Sequence, residues 1–343
     1  MQFDERGGAE FHRDAIMATP RTKLSIPEAR RGSYAGGLMF MPCATALKSL
    51  PNIAIALPQT EPIALVCDSP HSGTAYPADF GYSVAFHDLR KCEDTFVDAL
   101  WADVPSVGGT LIHAHFPRSY IDANRACTDI DVAMLSEPWP GDVQASERCL
   151  ALGNGLVFSK TTTLADIYER KLDVSEVQRR IDTCWKPYRN ALGQALHEVR
   201  SAFGRVWHLN LHSMPSNAYE RLGLVSATPL ADVVLGDLQG RSCSPRFTRC
   251  VTEAFRALGY SVSVNDPYAG QDLIRVHGQP AQACESLQIE LNRKLYLDEE
   301  TREPNARYSQ TRHDLRCVLS GVAAFIQAET GRRAMHSETE RAS

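Results

Sequence analysis

The sequence predicts an α/β fold on three observations. Residues 63–68 form a continuous apolar run, as expected for a strand that is buried on both faces of a parallel sheet. Residues 174–203 carry an apolar stripe with the helical period. Residues 206–211 alternate in polarity as a strand does. Because strands and helices alternate along the chain, we expect an α/β sandwich.

The other elements follow from the same two periods. Residues 88–104 place apolar side chains at helical spacing, and residues 110–116 alternate. Pro187 is expected to kink or divide its helix, because proline cannot donate to the hydrogen-bond ladder. In chain order, the predicted elements are strand 63–68, helix 88–104, strand 110–116, helix 174–203, strand 206–211, helix 246–258 stopped by Gly259, strand 286–291 and helix 313–329.

One folded domain is expected at residues 58–330. Residues 1–57 mix Arg, Gly, Pro and Ser without a sustained period, which predicts a poorly ordered extension. Residues 331–343 are charged and are expected to fray. The chain has 343 residues, 43% apolar and 22% charged, which is typical of a soluble globular protein.

Charge and cysteine usage argue against several classes of protein. The net charge of −5, with no dominant basic stretch, argues against nucleic acid or an anionic membrane as the main partner. No apolar run is long enough to cross a bilayer, and the first residues lack the apolar core of a signal peptide. The ten cysteines include no CxxC pair, which indicates reduced thiols and a cytoplasmic protein.

Two histidines occupy the same kind of position. His71 and His212 each lie where an apolar strand gives way to a loop of small residues. Ligands of α/β sheets bind at such strand ends. Together with a carboxylate, the two imidazoles would make a three-ligand zinc site with one open position, which is typical of hydrolases.

Further polar residues lie at predicted strand ends. Glu290 sits inside an otherwise apolar strand, where a carboxylate needs a partner or a function. Asn124 and Arg125 follow the strand 110–116 and would suit a substrate carboxylate. Structural alternatives remain open: each histidine could be a satisfied structural residue, Arg125 could pair with Asp122 or Asp129, and Glu290 could pair with Arg293.

An ordered set of motifs resembles the N-formylglutamate amidohydrolase family, which is related to zinc carboxypeptidases and aspartoacylases. The resemblance covers about residues 62–328. It rests on PHSG at 70–73, YIDANR at 120–125, LHS at 211–213, LGD at 235–237 with GRSC at 240–243, HGQP at 277–280, and QIEL at 288–291 followed by Tyr296.

The resemblance implies a fold and a site. The fold would be a three-layer α/β sandwich with a mixed, mostly parallel central sheet, phosphorylase/hydrolase-like and zinc-carboxypeptidase-like. One Zn²⁺ per chain would be held by His71, Asp94 and His212, with Glu290 as general base. Substrate would be bound by Asn124 and Arg125 at its α-carboxylate and by Arg275 at a second carboxylate or the oxyanion; Arg118 would add positive charge, and His277 would line the pocket.

The acidic ligand leaves an alternative open. Carboxypeptidases place a Glu three residues after the first His, where this chain has Thr74. The formylglutamate pattern places an Asp at the start of the next helix, which Asp94 matches. Glu93 is the adjacent competitor, and Asp98 lies one turn later. The segment 269–275 also departs from the family's paired glycines, so the substrate's side chain is less well defined than the reaction.

The implied activity is hydrolysis of a small anionic N-acyl amino acid, namely N-formyl-L-glutamate to formate and L-glutamate, as in histidine degradation. The alternatives are a carboxypeptidase-like or aspartoacylase-like hydrolase of another amino-acid conjugate, or a non-catalytic binding protein. A serine hydrolase is poorly supported, because the sequence has no GxSxG motif. His208 and Asn210 share a strand face with His212 and are expected to orient it. His113 and His115 share a face of another predicted strand and could bind a metal, but such a pair more often lies behind a site or is half-exposed.

Overall fold

The computed structural model describes residues 51–342, with side chains described through residue 331. Between these bounds lie seven strands and nine α-helices. The strands are β1 (Ile53–Ala56), β2 (Leu65–Ser69), β3 (Thr110–Ala114), β4 (Val206–Met214), β5 (Val233–Gly236), β6 (Val262–Val264) and β7 (Cys284–Asn292). The helices are α1 (Phe86–Arg90), α2 (Val97–Leu100), α3 (Glu147–Leu152), α4 (Val174–Arg180), α5 (Lys186–Phe203), α6 (Ala218–Arg221), α7 (Pro245–Ala257), α8 (Asp272–His277) and α9 (Tyr308–Ala342).

The strands form one mixed sheet in the order β1-β3-β2-β4-β7-β5-β6. Its centre is parallel, because β3, β2, β4 and β7 all run in one direction. β1 is antiparallel to β3 and β5 is antiparallel to β7, while β6 runs parallel to β5. The expected mixed, mostly parallel sheet is therefore confirmed.

Helices cover both faces of the sheet, which makes three layers. On one face, Leu209 and Ile289 belong to a core that includes Phe247 of α7 and Val318 of α9. On the other face, Val66 and Ile112 pack with residues of α4 and α5. Because both faces are covered, β2 is buried along its whole length, as its unbroken apolar run predicts.

The predicted helix 88–104 is interrupted. It consists of α1 and α2, separated by residues 91–96, and Phe96 has a left-handed backbone with φ of 65°. A non-glycine residue in that conformation cannot continue a right-handed helix. The interruption places Asp94 in a buried connecting loop rather than on a helix face.

Pro187 does not divide the helix that contains it. A π-helical turn at Ile181–Trp185 joins α4 to α5. Pro187 has no N–H to donate to the carbonyl of Thr183, four residues earlier. The side chain of Asn52 donates to that carbonyl instead, at 3.0 Å. The element is therefore one continuous helical rod with a bulge.

The described strands and helices extend beyond the expected domain, residues 58–330, on both sides. β1 lies within the stretch 1–57 that the sequence assigns to an extension, and residues 1–50 lie outside the described part. At the other end, α9 continues to Ala342, because the tail is rich in Ala, Arg, Glu and Met, which favour helix. None of the helices in the described part is both long and apolar enough to span a bilayer.

Candidate active site

Three buried side chains converge at the end of the parallel strands. His71 follows β2, Asp94 lies between α1 and α2, and His212 lies in β4. Asp94 Oδ2 is 3.3 Å from His71 Nδ1 and 3.1 Å from His212 Nδ1. One ligand atom from each residue lies within 4.8 Å of the others, so the group could hold a metal ion.

The loop that carries His71 is anchored on both sides. The backbone N–H of Asp94 donates to the His71 carbonyl at 3.1 Å, and the N–H of Asp98 donates to Ser72 Oγ at 3.1 Å. A Cβ on Gly73 would lie 2.2 Å from the carbonyl oxygen of Phe116, so only glycine allows the loop to pass so close to the end of β3. The PHSG motif thus fixes the first histidine through its backbone.

The far nitrogen of each imidazole is also held. His71 Nε2 lies 2.6 Å from Asp122 Oδ1, and His212 Nε2 lies 2.6 Å from Asn210 Oδ1. Asp122 accepts further hydrogen bonds from Arg118 Nη2 at 2.9 Å and from the Asn124 N–H at 2.8 Å. If a metal ion took the place of the proton on each Nδ1, these contacts would keep the remaining proton on Nε2, which is the arrangement of metal-binding histidines.

The protonation states of His212 and Asp94 suit a cation. Burial lowers the pKa of His212 to about 4, and the neighbouring His71 adds to that effect while Asp94 opposes it. Burial raises the pKa of Asp94, but hydrogen bonds from His212 and His71 and the charge of Arg118 outweigh it and hold the pKa well below its usual range. Near neutral pH the set therefore offers a neutral imidazole and a carboxylate, which fit a divalent ion such as Zn²⁺.

Behind His212 lies a second layer of buried polar side chains. Asp68 accepts hydrogen bonds from Asn210 Nδ2 at 2.8 Å, His208 Nε2 at 2.8 Å and the Tyr188 hydroxyl at 2.7 Å. His208 Nδ1 is 2.8 Å from Ser286 Oγ. Asn210 therefore contacts His212 directly, whereas His208 acts one step further back. The Ser286–His208–Asp68 series has the residue types of a catalytic triad, but it is fully buried and does not line the cavity described below.

Glu290 lies beside His212 in the sheet. The two residues are register partners in the parallel pairing of β7 with β4. Gln288 Nε2 donates to Glu290 Oε1 at 2.9 Å. Burial raises the pKa of Glu290 to about 8, and the negative charge of Asp94 contributes. Arg293, the alternative partner of Glu290, instead donates to Asp94 Oδ1 at 2.9 Å.

One cavity of about 740 Å³ is lined by His71, Asp94, His212, Gln288, Glu290 and Arg293. Asn124, Arg125 and Arg118 also line it. Arg125 donates from Nε to the Asn154 carbonyl at 2.9 Å, and its Nη2 forms no hydrogen bond within the described part of the chain. Its nearest carboxylate is Asp129, with Oδ2 3.9 Å from Nε, rather than Asp122.

Other sequence candidates do not reach the cavity. Arg275 is 62% exposed and pairs with Asp272. His277 stacks edge-on against His208 at 6.3 Å between ring centroids, away from the cavity lining. Glu93 accepts from the Tyr76 hydroxyl at 2.6 Å and does not line the cavity. The pair of His113 and His115 likewise lies outside the lining.

Several lining residues were not among the candidate site residues predicted from the sequence. They are Arg148, Arg221, Tyr268, Gln288 and Arg293. Arg148 lies in α3 and Arg221 in α6, two short helices in segments without a predicted element. Gln288 and Arg293 flank Glu290 in the sequence, and the alternation of β7 predicts that Gln288 shares its face.

Comparisons with known proteins agree with the motif resemblance. The family model described as N-formylglutamate amidohydrolase matches residues 63–297. The chain is 26% identical over 240 residues to a Pseudomonas putida protein named N-formylglutamate deformylase, covering 69% of this chain and 83% of that protein. A Pseudomonas aeruginosa protein of the same name is 24% identical over 241 residues, covering 69% of this chain and 84% of that one.

Solved structures are similar as well. The crystal structure of N-formylglutamate amidohydrolase from Ralstonia eutropha JMP134 is 50% identical with a TM-score of 0.79, covering 81% of this chain and 99% of that one. A gene product from Agrobacterium tumefaciens is 14% identical with a TM-score of 0.56, covering 80% of this chain and 96% of that one, which shows a shared fold.

Proposed function

Because this chain belongs to the N-formylglutamate amidohydrolase family, we propose that it hydrolyses N-formyl-L-glutamate to formate and L-glutamate with the help of a divalent metal ion, most simply one Zn²⁺. The observation that carries the proposal is the convergence of His71 Nδ1, Asp94 Oδ2 and His212 Nδ1 in a cavity that Glu290 also lines.

His71, Asp94 and His212 would hold the ion. When bound there, such an ion supplies Lewis acidity, which favours ionisation of water and polarises a carbonyl group. Asp122 and Asn210 keep the two imidazoles in the required tautomer through their hydrogen bonds to Nε2. Arg118 and Arg293 offset the charge of Asp94 from its other oxygen.

Glu290 would move the protons. Its carboxylate accepts a proton from the attacking water as the water oxygen bonds to the formyl carbon. The same carboxyl group then donates that proton to the nitrogen as the C–N bond breaks, so that formate and a free amine leave. Its raised pKa suits both halves of this task, because a group that titrates near the working pH can accept and release a proton.

Arg125 would bind the α-carboxylate of the substrate. It lines the cavity, its Nη2 has no partner within the described part of the chain, and the Asn154 carbonyl fixes its orientation. Asn124 is held by the backbone N–H of Leu273, which donates to Asn124 Oδ1 at 2.8 Å. Asn124 Nδ2 then donates to Asn210 Oδ1 at 3.3 Å, the oxygen that His212 Nε2 also contacts.

The test combines metal analysis with a substrate panel. Purified protein should contain about one zinc or other divalent ion per chain, and a chelator should abolish formate release until the metal is restored. Formyl-, acetyl- and dipeptidyl-glutamate should be compared by kcat/KM, with the formyl substrate expected to be fastest. Hydrolysis that is indifferent to chelator would overturn the metal-dependent mechanism. A preference for the dipeptide would assign the chain a carboxypeptidase-like reaction instead.

A further inference from the structure

Two arginines that line the cavity have no hydrogen-bonded or oppositely charged partner among the described residues 51–331. Arg148 lies in α3, and Arg221 is the last residue of α6. Both are half-buried. Neither guanidinium forms a hydrogen bond or an ion pair with a residue in the described range 51–331. Glu220 is adjacent to Arg221 in the chain, but its carboxylate forms no ion pair with it within that range.

Apart from Arg125, which is assigned to the α-carboxylate of the substrate, the other cationic side chains of the cavity are engaged by the protein. Arg118 and Arg293 bind Asp94 and its neighbour Asp122. Arg302 donates to the carbonyl of Glu93, and Lys91 lies 3.4 Å from Glu300. Arg148 and Arg221 are therefore the cavity's unassigned positive charges in this part of the chain.

The two arginines belong to the same part of the cavity as the candidate base. The guanidinium of Arg148 lies over the ring of Tyr268 at 5.3 Å from its centroid. Burial raises the pKa of Tyr268 and the charge of Glu290 adds to this, whereas Arg148 and Arg221 both oppose it. Tyr268 therefore interacts electrostatically with both guanidinium groups and with the Glu290 carboxylate.

Holding Arg221 near the positive charges of Arg293 and Arg118 without an anion costs free energy. Burial lowers the pKa of Arg221, and the positive charges of Arg293 and Arg118 lower it further. Partly desolvated like charges of this kind favour an anionic ligand that accepts hydrogen bonds from them. The planar, forked donors of arginine match a carboxylate well.

We propose that Arg148 and Arg221 bind the side-chain carboxylate of the substrate and thereby select acidic over neutral N-formyl amino acids. This inference rests on the proposed function for the identity of the substrate. It assigns separate sites to the two carboxylates, since Arg125 is tied to Asn154 and would bind the α-carboxylate. Asn154 also links the two sites, because its backbone N–H donates to the Arg148 carbonyl at 3.3 Å.

The test compares an acid with its neutral isostere. For the metal-loaded protein, kcat/KM should be measured with N-formyl-L-glutamate and N-formyl-L-glutamine in wild type, Arg148→Gln, Arg221→Gln and the double variant. Loss of a charge-assisted hydrogen bond should lower kcat/KM for the acid by about 10- to 100-fold per arginine, while the amide substrate changes little. An arginine that bound the α-carboxylate would affect both substrates equally.

Two control variants sharpen the comparison. Arg249→Gln removes an exposed arginine of α7, outside the cavity, and should preserve the acid preference. Arg275→Gln tests the arginine favoured by the family resemblance. Equal losses on both substrates, no loss in the double variant, or a selective loss in Arg275→Gln would each overturn the assignment.

Equilibrium binding separates this inference from the proposed reaction. Calorimetry with L-glutamate and L-glutamine needs no turnover, so it applies even if N-formylglutamate is not hydrolysed. Wild type should bind L-glutamate more tightly, and the double variant should lose that preference. If wild type shows no preference, or the double variant retains it, the two arginines do not form the acidic side-chain site.

Discussion

Glu290 and His212 are register partners on the adjacent parallel strands β7 and β4. Their side chains leave the same face of the sheet, opposite the apolar residues Leu211 and Ile289. A candidate base and a candidate ligand are thus held by two adjacent strands inside the sheet. Their relative position depends on backbone hydrogen bonds rather than on a loop.

Activity is expected to rise with pH as Glu290 ionises, because only the carboxylate can accept a proton. Burial and the charge of Asp94 raise its pKa to about 8. A bound cation opposes both causes, so the acid limb of kcat/KM should have its midpoint below that value. A profile from about pH 5 to about pH 9 measures it. Glu290→Gln should remove the limb together with about 10²- to 10⁴-fold of the rate; a limb that persists would identify another base.

Without metal, the same Glu290→Gln change is expected to stabilise the fold at alkaline pH. The pKa of Glu290 in the folded protein is about 8, above its ordinary value of 4.5. The stabilising contribution of the protonated Glu290 side chain to the free energy of unfolding is therefore complete below pH 4.5. It is lost as the pH rises through about 8. Wild type should lose up to about 1.4 kcal/mol per pH unit relative to the variant across that window. Thermal unfolding of both proteins without metal checks this, and a Tm difference independent of pH would contradict it.

Asp94 rather than Glu93 is expected to control metal affinity. Asp94→Asn keeps the shape of the side chain but removes a charge that contacts both histidines. Its metal affinity should fall by more than about 100-fold, beyond the loss typical of an outer residue. Glu93→Gln is the matched control, since Glu93 faces Tyr76. Competition with a chromophoric chelator measures both, and a larger effect at Glu93 would reverse the assignment.

Asp68 is expected to position His212 through Asn210. Asp68→Asn places an amide donor among three donors, so Asn210 loses the contact that directs its Oδ1 to His212. Metal affinity should fall by about 10- to 100-fold, and excess metal should restore kcat. Tyr188→Phe removes one of the three bonds and spares Asn210, so its effect on metal affinity should be smaller. Equal metal affinities in Asp68→Asn and wild type would show that Asp68 and Asn210 have only a structural role.

The sequence predicts the parallel centre of the fold better than its edges. β2, β4 and β7 are long or continuously apolar and are readily recognised, whereas β5 and β6 have four and three residues and lack a readable period. The break at Phe96 was missed because the side chains on either side of it keep helical spacing. The periodicity of apolar residues indicates which side chains are buried. It does not indicate that one residue has a left-handed backbone conformation.

The site was predictable where its residues lie on strands or in motifs. His71, Asp94, His212, Asn124, Arg125 and Glu290 all meet in one cavity. Arg275 does not, because it turns to Asp272 at the surface. Arg148 and Arg221 were not predicted from the sequence. Each reaches the cavity from a short helix whose placement depends on long-range packing.

The buried row that runs from Ser286 through His208, Asp68 and Asn210 to His212 has an evolutionary consequence. A change at one of these positions leaves its neighbours with polar atoms that water cannot reach. Single substitutions are therefore expected to destabilise the fold even where catalysis would tolerate them. In related sequences, we expect these five positions to be inherited as a unit. A lineage that gave up the metal would be free to replace the whole row with apolar side chains.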